Sequence, residues 1–329
     1  MNAIRLTDLR RSDKREWNIG SDFGFFGDRL TGNVDAYLRN TDDLLNNVLT
    51  PMGSNFGNQV LTNVGSMQNK GIEFALNVVP VETKDWHLSV GVNGTFQDTK
   101  ITKLNATDIE GYYINTSGIS HGTGSYIGRH QVGYAPYSYW VFQQLYDENG
   151  MPIQNAFVDR NEDGQINNDD KYCAGDANPD FYYGLNLKLS YKNWDFGFNG
   201  HGSIGYKVFN DFASNHSTAY FDVNAGNLPN FATAVKRTGF TQISGDYQFF
   251  SDFYLENASF FRMDDINLGY TFKEIGNWQG NIRVAASCQN VFVITNYSGI
   301  DPEINSTDGV DRTFWPRPRT FSVRLNVNF

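Results

Sequence analysis

The stretch Asp159-Arg-Asn-Glu-Asp-Gly-Gln-Ile-Asn-Asn-Asp-Asp170 carries the most specific chemistry in the chain. It fits the calcium-loop pattern Asp-x-Asn-x-Asp-Gly with an acid at the twelfth position. Asp159, Asn161 and Asp163 set side-chain oxygens at alternate positions, and the carbonyl of Gln165 would supply a fourth ligand. Gly164 permits the sharp turn, and Ile166 is the apolar residue that follows it. Asp170 stands where glutamate is usual; its shorter carboxylate reaches less far, through one oxygen, and Asp169 is the alternative ligand. The same residues also make an ordinary solvated acidic turn, so a calcium reading and a metal-free reading both stand. The flanks read as strand and loop, which gives the ion the role of bracing a loop.

Catalytic patterns are weak. The five histidines, His87, His121, His130, His201 and His216, show no His-x-x-x-His spacing. There is no Gly-x-Ser-x-Gly elbow and no phosphate-cradling glycine loop. A glycosidase carboxylate pair is recognised by its separation in space, which spacing along the chain does not give. The reading is therefore not an enzyme. Aromatic residues crowd the long connections, and Tyr112, Tyr113, Tyr220 and Trp315 are the candidates for stacking on a substrate sugar ring. The competing use of such rings is to pack the loops against one another. Lys236, Arg237, Arg317 and Arg319 read as loop salt bridges.

The elements that must carry these loops are strands. From Phe321 to Phe329 apolar Phe321, Val323, Leu325, Val327 and Phe329 alternate with Ser322, Arg324, Asn326 and Asn328, a period of two over a length that suits a tilted bilayer crossing. Similar alternation recurs at 17–25, 30–38, 72–78, 86–96, 123–131, 138–147, 183–191, 194–198, 266–272 and 282–288, so about eleven strands are expected. Their connections alternate between short (near 27–28, 80–85, 133–136, 192–193, 273–280) and long (43–65, 102–122, 148–179, 205–255, 293–317). Up-and-down strands would gather all short turns at one end, the asymmetry of an outer-membrane barrel, which a Greek-key sandwich has no reason to keep. Trp86, Trp194 and Trp278 fall at short turns, where an interfacial girdle sits.

Composition bounds the alternatives. Aromatics make up 15% of 329 residues and mean hydropathy is −0.47, with no apolar run long enough for a helical span. A net charge of −10 leaves no basic stripe for nucleic acid. Cys173, expected in a loop, and Cys288, expected in a strand, are too few for a disulfide framework. Residues 1–13 read as a leader without clear structure and show no apolar signal core.

Several segments together resemble one family. Asp159–Asp170 followed by Gly175-Asp-Ala-Asn-Pro-Asp-Phe-Tyr-Tyr-Gly-Leu-Asn-Leu187 is similar to a stretch of the SusC/RagA family of TonB-dependent outer-membrane transporters. Trp17-Asn-Ile-Gly-Ser-Asp-Phe-Gly-Phe25, Asn69-Lys-Gly-Ile-Glu-Phe74, Val132-Gly-Tyr-Ala-Pro-Tyr137 and Tyr191-Lys-Asn-Trp-Asp-Phe196 match in the same order. The resemblance implies an all-β fold: an antiparallel up-and-down transmembrane β-barrel, with residues 14–329 as the C-terminal half, about eleven strands, of a 22-stranded barrel. The family's plug domain has no counterpart in these residues. The implied function is import of glycan or peptide across the Gram-negative outer membrane. Expected partners are a SusD-like lipoprotein on the extracellular loops, TonB acting through the plug, and outer-membrane lipid. The alternative is a secreted, calcium-braced all-β carbohydrate-binding module.

Overall fold

The structure, a computed structural model, describes residues 9–49, 59–104, 111–121, 123–219, 231–241, 246–275, 278–304, 306–312 and 315–328. Nine strands form one antiparallel sheet: β1 (Asp13–Phe25), β2 (Leu30–Leu49), β3 (Gln59–Glu82), β4 (Trp86–Lys103), β11 (Phe181–Tyr191), β12 (Trp194–Ile204), β15 (Phe260–Ile275), β16 (Trp278–Thr295) and β18 (Thr320–Asn328). They pair in that order, each with its sequence neighbour in the sheet, so the up-and-down meander expected from the alternation is present. Among the described residues β1 and β18 each have one partner, and the sheet has two open edges. Residues 9–12 carry no regular structure, and Phe329 and Tyr220 lie outside the described residues.

Two expected wall strands are absent from this sheet. The 123–131 and 138–147 segments become β6 (Tyr126–Gln131), β7 (Ser138–Val141) and β8 (Gln144–Tyr146), which sit in smaller sheets. Strands of six, four and three residues fall short of the roughly 9–11 that a tilted bilayer crossing needs. Losing a pair leaves the parity intact. The connections at 26–29, 83–85 and 192–193, and the one from Ile275 to Trp278, still share one end. Those at 104–180, 205–259 and 296–319 share the other. The stretch at 43–65, expected as a long loop, is mostly strand: β2 and β3 pair through to Leu49 opposite Gln59. Cys173 lies in β10 (Tyr172–Asp176), a strand where a loop was expected; both cysteines are free.

Register shows what the alternation is for. One row of direct partners crosses all nine strands as Phe25, Leu30, Val78, Val90, Leu187, Phe198, Ile266, Cys288 and Phe321. The adjacent row reads Gly24, Thr31, Asn77, Gly91, Asn186, Asn199, Asp265, Gln289 and Thr320. Period-two alternation therefore sums these two rows into an apolar face and a polar face across all nine strands. On the polar face Gly269 leaves the space in which Arg283 of β16 reaches across to Asp195 of β12.

The same row gives the tilt. Phe25 adjoins its short turn, whereas Cys288 stands ten positions above Trp278 at the start of β16. That is a stagger of about 33 Å across seven strand spacings of about 4.8 Å. The resulting strand tilt of about 45° is at the upper end of the range for membrane barrels.

The apolar face has no core against it. Ile72, Phe96, Leu268 and Val323 are 50%, 51%, 47% and 80% exposed. The main buried cluster lies in the layer built by the long connections, around Ile127, Tyr139, Val141, Phe209, Tyr254 and Val310. This layer holds β5 (Tyr113–Gly118) with β6, β7 and β10; β8 with β9 (Pro152–Phe157); and β13 (Lys207–Asn210) with β14 (Leu255–Asn257) and β17 (Val310–Asp311). The Tyr139 hydroxyl is 3.0 Å from the Lys207 carbonyl oxygen and 2.9 Å from that of Gly309, which joins all three long connections at one buried point. Among the described residues no helix is long and apolar enough to cross a membrane.

Candidate functional site

Two features of the wall and two of the loop layer have functional geometry. On the apolar face, Trp86, Tyr191, Trp194 and Tyr270 are successive direct partners across β4, β11, β12 and β15. Trp86 packs on Tyr191 at 4.1 Å and Trp194 on Tyr270 at 4.7 Å, beside the short turns. A second aromatic cluster joins Phe74, Phe96, Phe181, Tyr183 and Phe261, with Phe96 and Phe181 stacked at 4.1 Å. Phe96 is ten positions from Trp86, and Phe181 ten from Tyr191. Ten residues span about 33 Å along a strand, or about 24 Å of membrane normal at the tilt above, close to the apolar band of about 25 Å between two aromatic girdles in outer-membrane barrels.

The polar face ties the loop layer down. Arg262 of β15 is buried, and its guanidinium meets Asp301, Glu303 and the Asn290 side chain. Arg317 pairs with the same two acids, and Arg237 with Glu256, which makes both of these cations loop salt bridges as expected. Arg319 instead donates to the Asn290 carbonyl.

The 159–170 loop closes on itself. The Gly164 N–H donates to Asp159 Oδ2 (2.7 Å), the Asp163 N–H to Asn161 Oδ1 (3.1 Å), and the Gln165 N–H to Asp163 Oδ1 (2.8 Å). Gly164 adopts φ +81°, where a side chain would be strained, as the sharp turn requires. Asp170 is fully buried by the loop. Its Oδ1 accepts the Arg160 N–H and its Oδ2 the Asn167 N–H, both at 2.8 Å, so one carboxylate holds both ends. The Asn167 N–H, with those of Arg160 and Asn161, keeps the Asp170 carboxyl below the ordinary range. Asp159, Asn161, Asp163 and Asp170 are thus brought together, while Gln165 contributes only its N–H to the bonds described. Among the described residues no group of three or more His, Cys, Asp or Glu side chains could hold a metal by itself. A calcium ion here would need the Asn161 amide and backbone oxygens as well.

The candidate sugar-stacking residues separate. Tyr112 is half-buried, Trp315 is 93% exposed, and Tyr113 lines a cleft. That cleft, of about 310 Å³, lies between β5, β6, β7 and the 3₁₀ turns Asn168–Asp170 and Asp246–Phe250. Arg129 lies 4.0 Å from the centre of the Tyr113 ring and 4.8 Å from that of Trp140. Lys171 lies 4.3 Å from the Phe250 ring centre. Burial, then the field of Arg129, pushes the Lys171 ammonium down to about 8. Arg129 and Lys171 gave no signal along the chain: Arg129 sat in an expected wall strand, and Lys171 follows the acidic loop as one more charge. A larger apolar hollow of about 570 Å³ beside Phe212 and Ile300 has one cation, Arg237, already paired.

No protein-family model matches the sequence. The chain is 42% identical over 332 residues to the TonB-dependent receptor SusC of Bacteroides thetaiotaomicron, covering 98% of this chain and 32% of that protein. It is 27% identical to TonB-dependent receptor P3 of Formosa agariphila, over 100% of this chain and 36% of that one. In fold it superposes on the RagAB peptide transporter with a TM-score of 0.75 at 23% identity, over 97% of this chain and 35% of that one. The RagAB importer in its open-open state gives 0.74 at 22%, over 98% and 35%. The chain spans about a third of the length of these proteins.

Proposed function

This chain belongs to the SusC/RagA family of TonB-dependent receptors, and we propose that it supplies nine adjacent wall strands, with their extracellular layer, to an outer-membrane nutrient importer. The supporting observation is the apolar row that runs unbroken through nine strands while its face stays exposed. Water would penalise that face by about 25 cal/mol per Å² of apolar surface, whereas lipid does not. A secreted module would keep it in a private core, so this geometry disfavours the module. The two open edges carry rows of backbone donors and acceptors that hydrocarbon cannot satisfy. Further strands of the same barrel complete them in this reading.

In such an importer the wall and its loop layer bind and admit cargo, a plug gates the lumen, and TonB delivers force through the plug. A SusD-like lipoprotein closes over the long-loop end. The cargo is a glycan or a peptide. Residues 1–329 exported by themselves are expected to give no uptake, because nine strands cannot close around a lumen built for about 22. Growth on candidate glycans and peptides, in a strain deleted for the whole transporter, tests this. Rescue by the 329 residues alone would contradict the account; rescue only with the remaining two thirds of the barrel protein supports it.

We further propose that the 159–170 loop takes calcium as a brace. Calcium is then expected to protect the loop from protease and to stabilise the folded protein by about 2.7 kcal/mol at a hundredfold excess over Kd, read as a higher melting temperature. Asp163→Ala should abolish the difference between calcium and chelator. Equal behaviour of wild type in both conditions would leave the loop a self-bonded acidic turn.

A further inference from the structure

In a chain of 36 acidic and 26 basic residues, a cation withdrawn from water is expected to find an acid. Arg262, Arg237, Arg312 and Arg317 each do. Arg129 and Lys171 do not: among the described residues neither side chain forms an ion pair or donates a hydrogen bond. Both are part-buried against aromatic rings in the cleft of the loop layer. Asp169 acts on Arg129 through space without forming an ion pair. The indole N–H of Trp140, which lines the same cleft, also has no acceptor among the described residues. Two cations that line one cleft repel each other. The fold has placed them together with no acid in ion-pair contact with either side chain among the described residues, which leaves their donors open to an anionic group.

We propose that this cleft binds an acidic saccharide, a sugar ring bearing a carboxylate or sulfate. Arg129 and Lys171 take the anionic group through charge-assisted hydrogen bonds, Arg129 with its planar fork and Lys171 as a point charge. The side-chain amides of Asn115 and Asn168 line the same space and suit ring hydroxyls. Tyr113, 41% exposed, offers an aromatic face to the ring. The volume falls within the range of small-molecule sites, at its lower end. Lys171 directly follows Asp170, and Asn168 belongs to the turn that Asp170 caps, so the self-bonded loop sets the position of one cation and one amide. The assignment rests on the proposed importer only in placing the cleft on the extracellular side.

Isothermal titration of the whole protein, purified in detergent, with galacturonate, galactose 6-sulfate, galactose and an acetylated dipeptide tests the assignment. The two acidic sugars should bind, with galactose at least about tenfold weaker, the loss of a charge-assisted hydrogen bond. Arg129→Ala and Lys171→Met should each weaken galacturonate by at least about tenfold, while Arg129→Lys and Lys171→Arg, which keep the charge and the folded layer, should retain binding. Equal binding of galactose, no binding of either acidic sugar, or undiminished binding by the neutral variants would overturn the site. Preference for the dipeptide would overturn the saccharide assignment. Binding is read without TonB or uptake: a protein that binds galacturonate but imports nothing contradicts the importer alone, and one that imports but fails the titration contradicts the cleft alone.

Discussion

Leu187→Arg is expected to destabilise the inserted wall by about 2–4 kcal/mol, the cost of a cation on the lipid face near the bilayer midplane. Leu187 lies between Tyr191 at one girdle and Phe181 at the other, and its direct partners Val90 and Phe198 are both apolar. No anion is within its row. Ser190→Arg, on the opposite face and opposite Asp195, should change stability little, as Lys188 already stands charged on that face. The readout is the urea midpoint of the protein assembled in lipid vesicles, with the fraction assembled into outer membranes as a second measure. Similar tolerance of both substitutions would mean that the Leu187 side chain does not meet hydrocarbon.

Arg262→Ala should be the most damaging change on the polar face. It removes the buried guanidinium that meets Asp301, itself 4% exposed, leaving that acid only the longer contact to Arg317 at 3.7 Å, and removes the contacts that tie 301–303 to β15. Breaking a buried pair from one side costs about 3–5 kcal/mol where the remaining charge is uncompensated, and the Arg317 contact places the expected loss at the lower end of that range. The loss should fall on the loop layer: limited proteolysis should cut within 296–319 while the strands stay protected. Replacing both partners, Arg262→Met with Asp301→Leu, should recover much of the stability, since the desolvation cost disappears with the pair. Proteolysis unchanged in Arg262→Ala would show that the layer is held by its own apolar cluster.

The wall was legible in the sequence because period two is a one-dimensional signal. Val90-Gly-Val92 and Leu185-Asn-Leu187 announce their faces without knowledge of any partner, and the end-to-end parity of connections then follows from counting. The loop layer was not legible for the converse reason. Tyr126–Gln131 lies in a stretch that was expected as a wall strand, yet six residues cannot cross a bilayer, and its pairing with β5 and β7 shows where it belongs. The calcium-like loop was visible because its geometry is local: Asp159 and Gly164 are five residues apart. The cleft is not local. Arg129 and Lys171 come from elements 42 positions apart, and neither flank carries a pattern that marks them. Tyr113 was chosen for its aromatic character alone and lines the cleft, while Trp315, chosen on the same ground, stands outside the clefts described.

The central claim is that one face of this sheet meets lipid. Site-directed spin labelling along β11 tests it most directly, in a background with Cys173→Ser and Cys288→Ala so that each label is unique. Labels at 185, 187 and 189 should collide with oxygen dissolved in the bilayer, and labels at 186, 188 and 190 with a water-soluble nickel chelate, a strict alternation with a period of two residues. Uniform accessibility at all six positions, or a monodisperse folded protein in plain buffer with 185, 187 and 189 shielded from both reagents, would contradict the account.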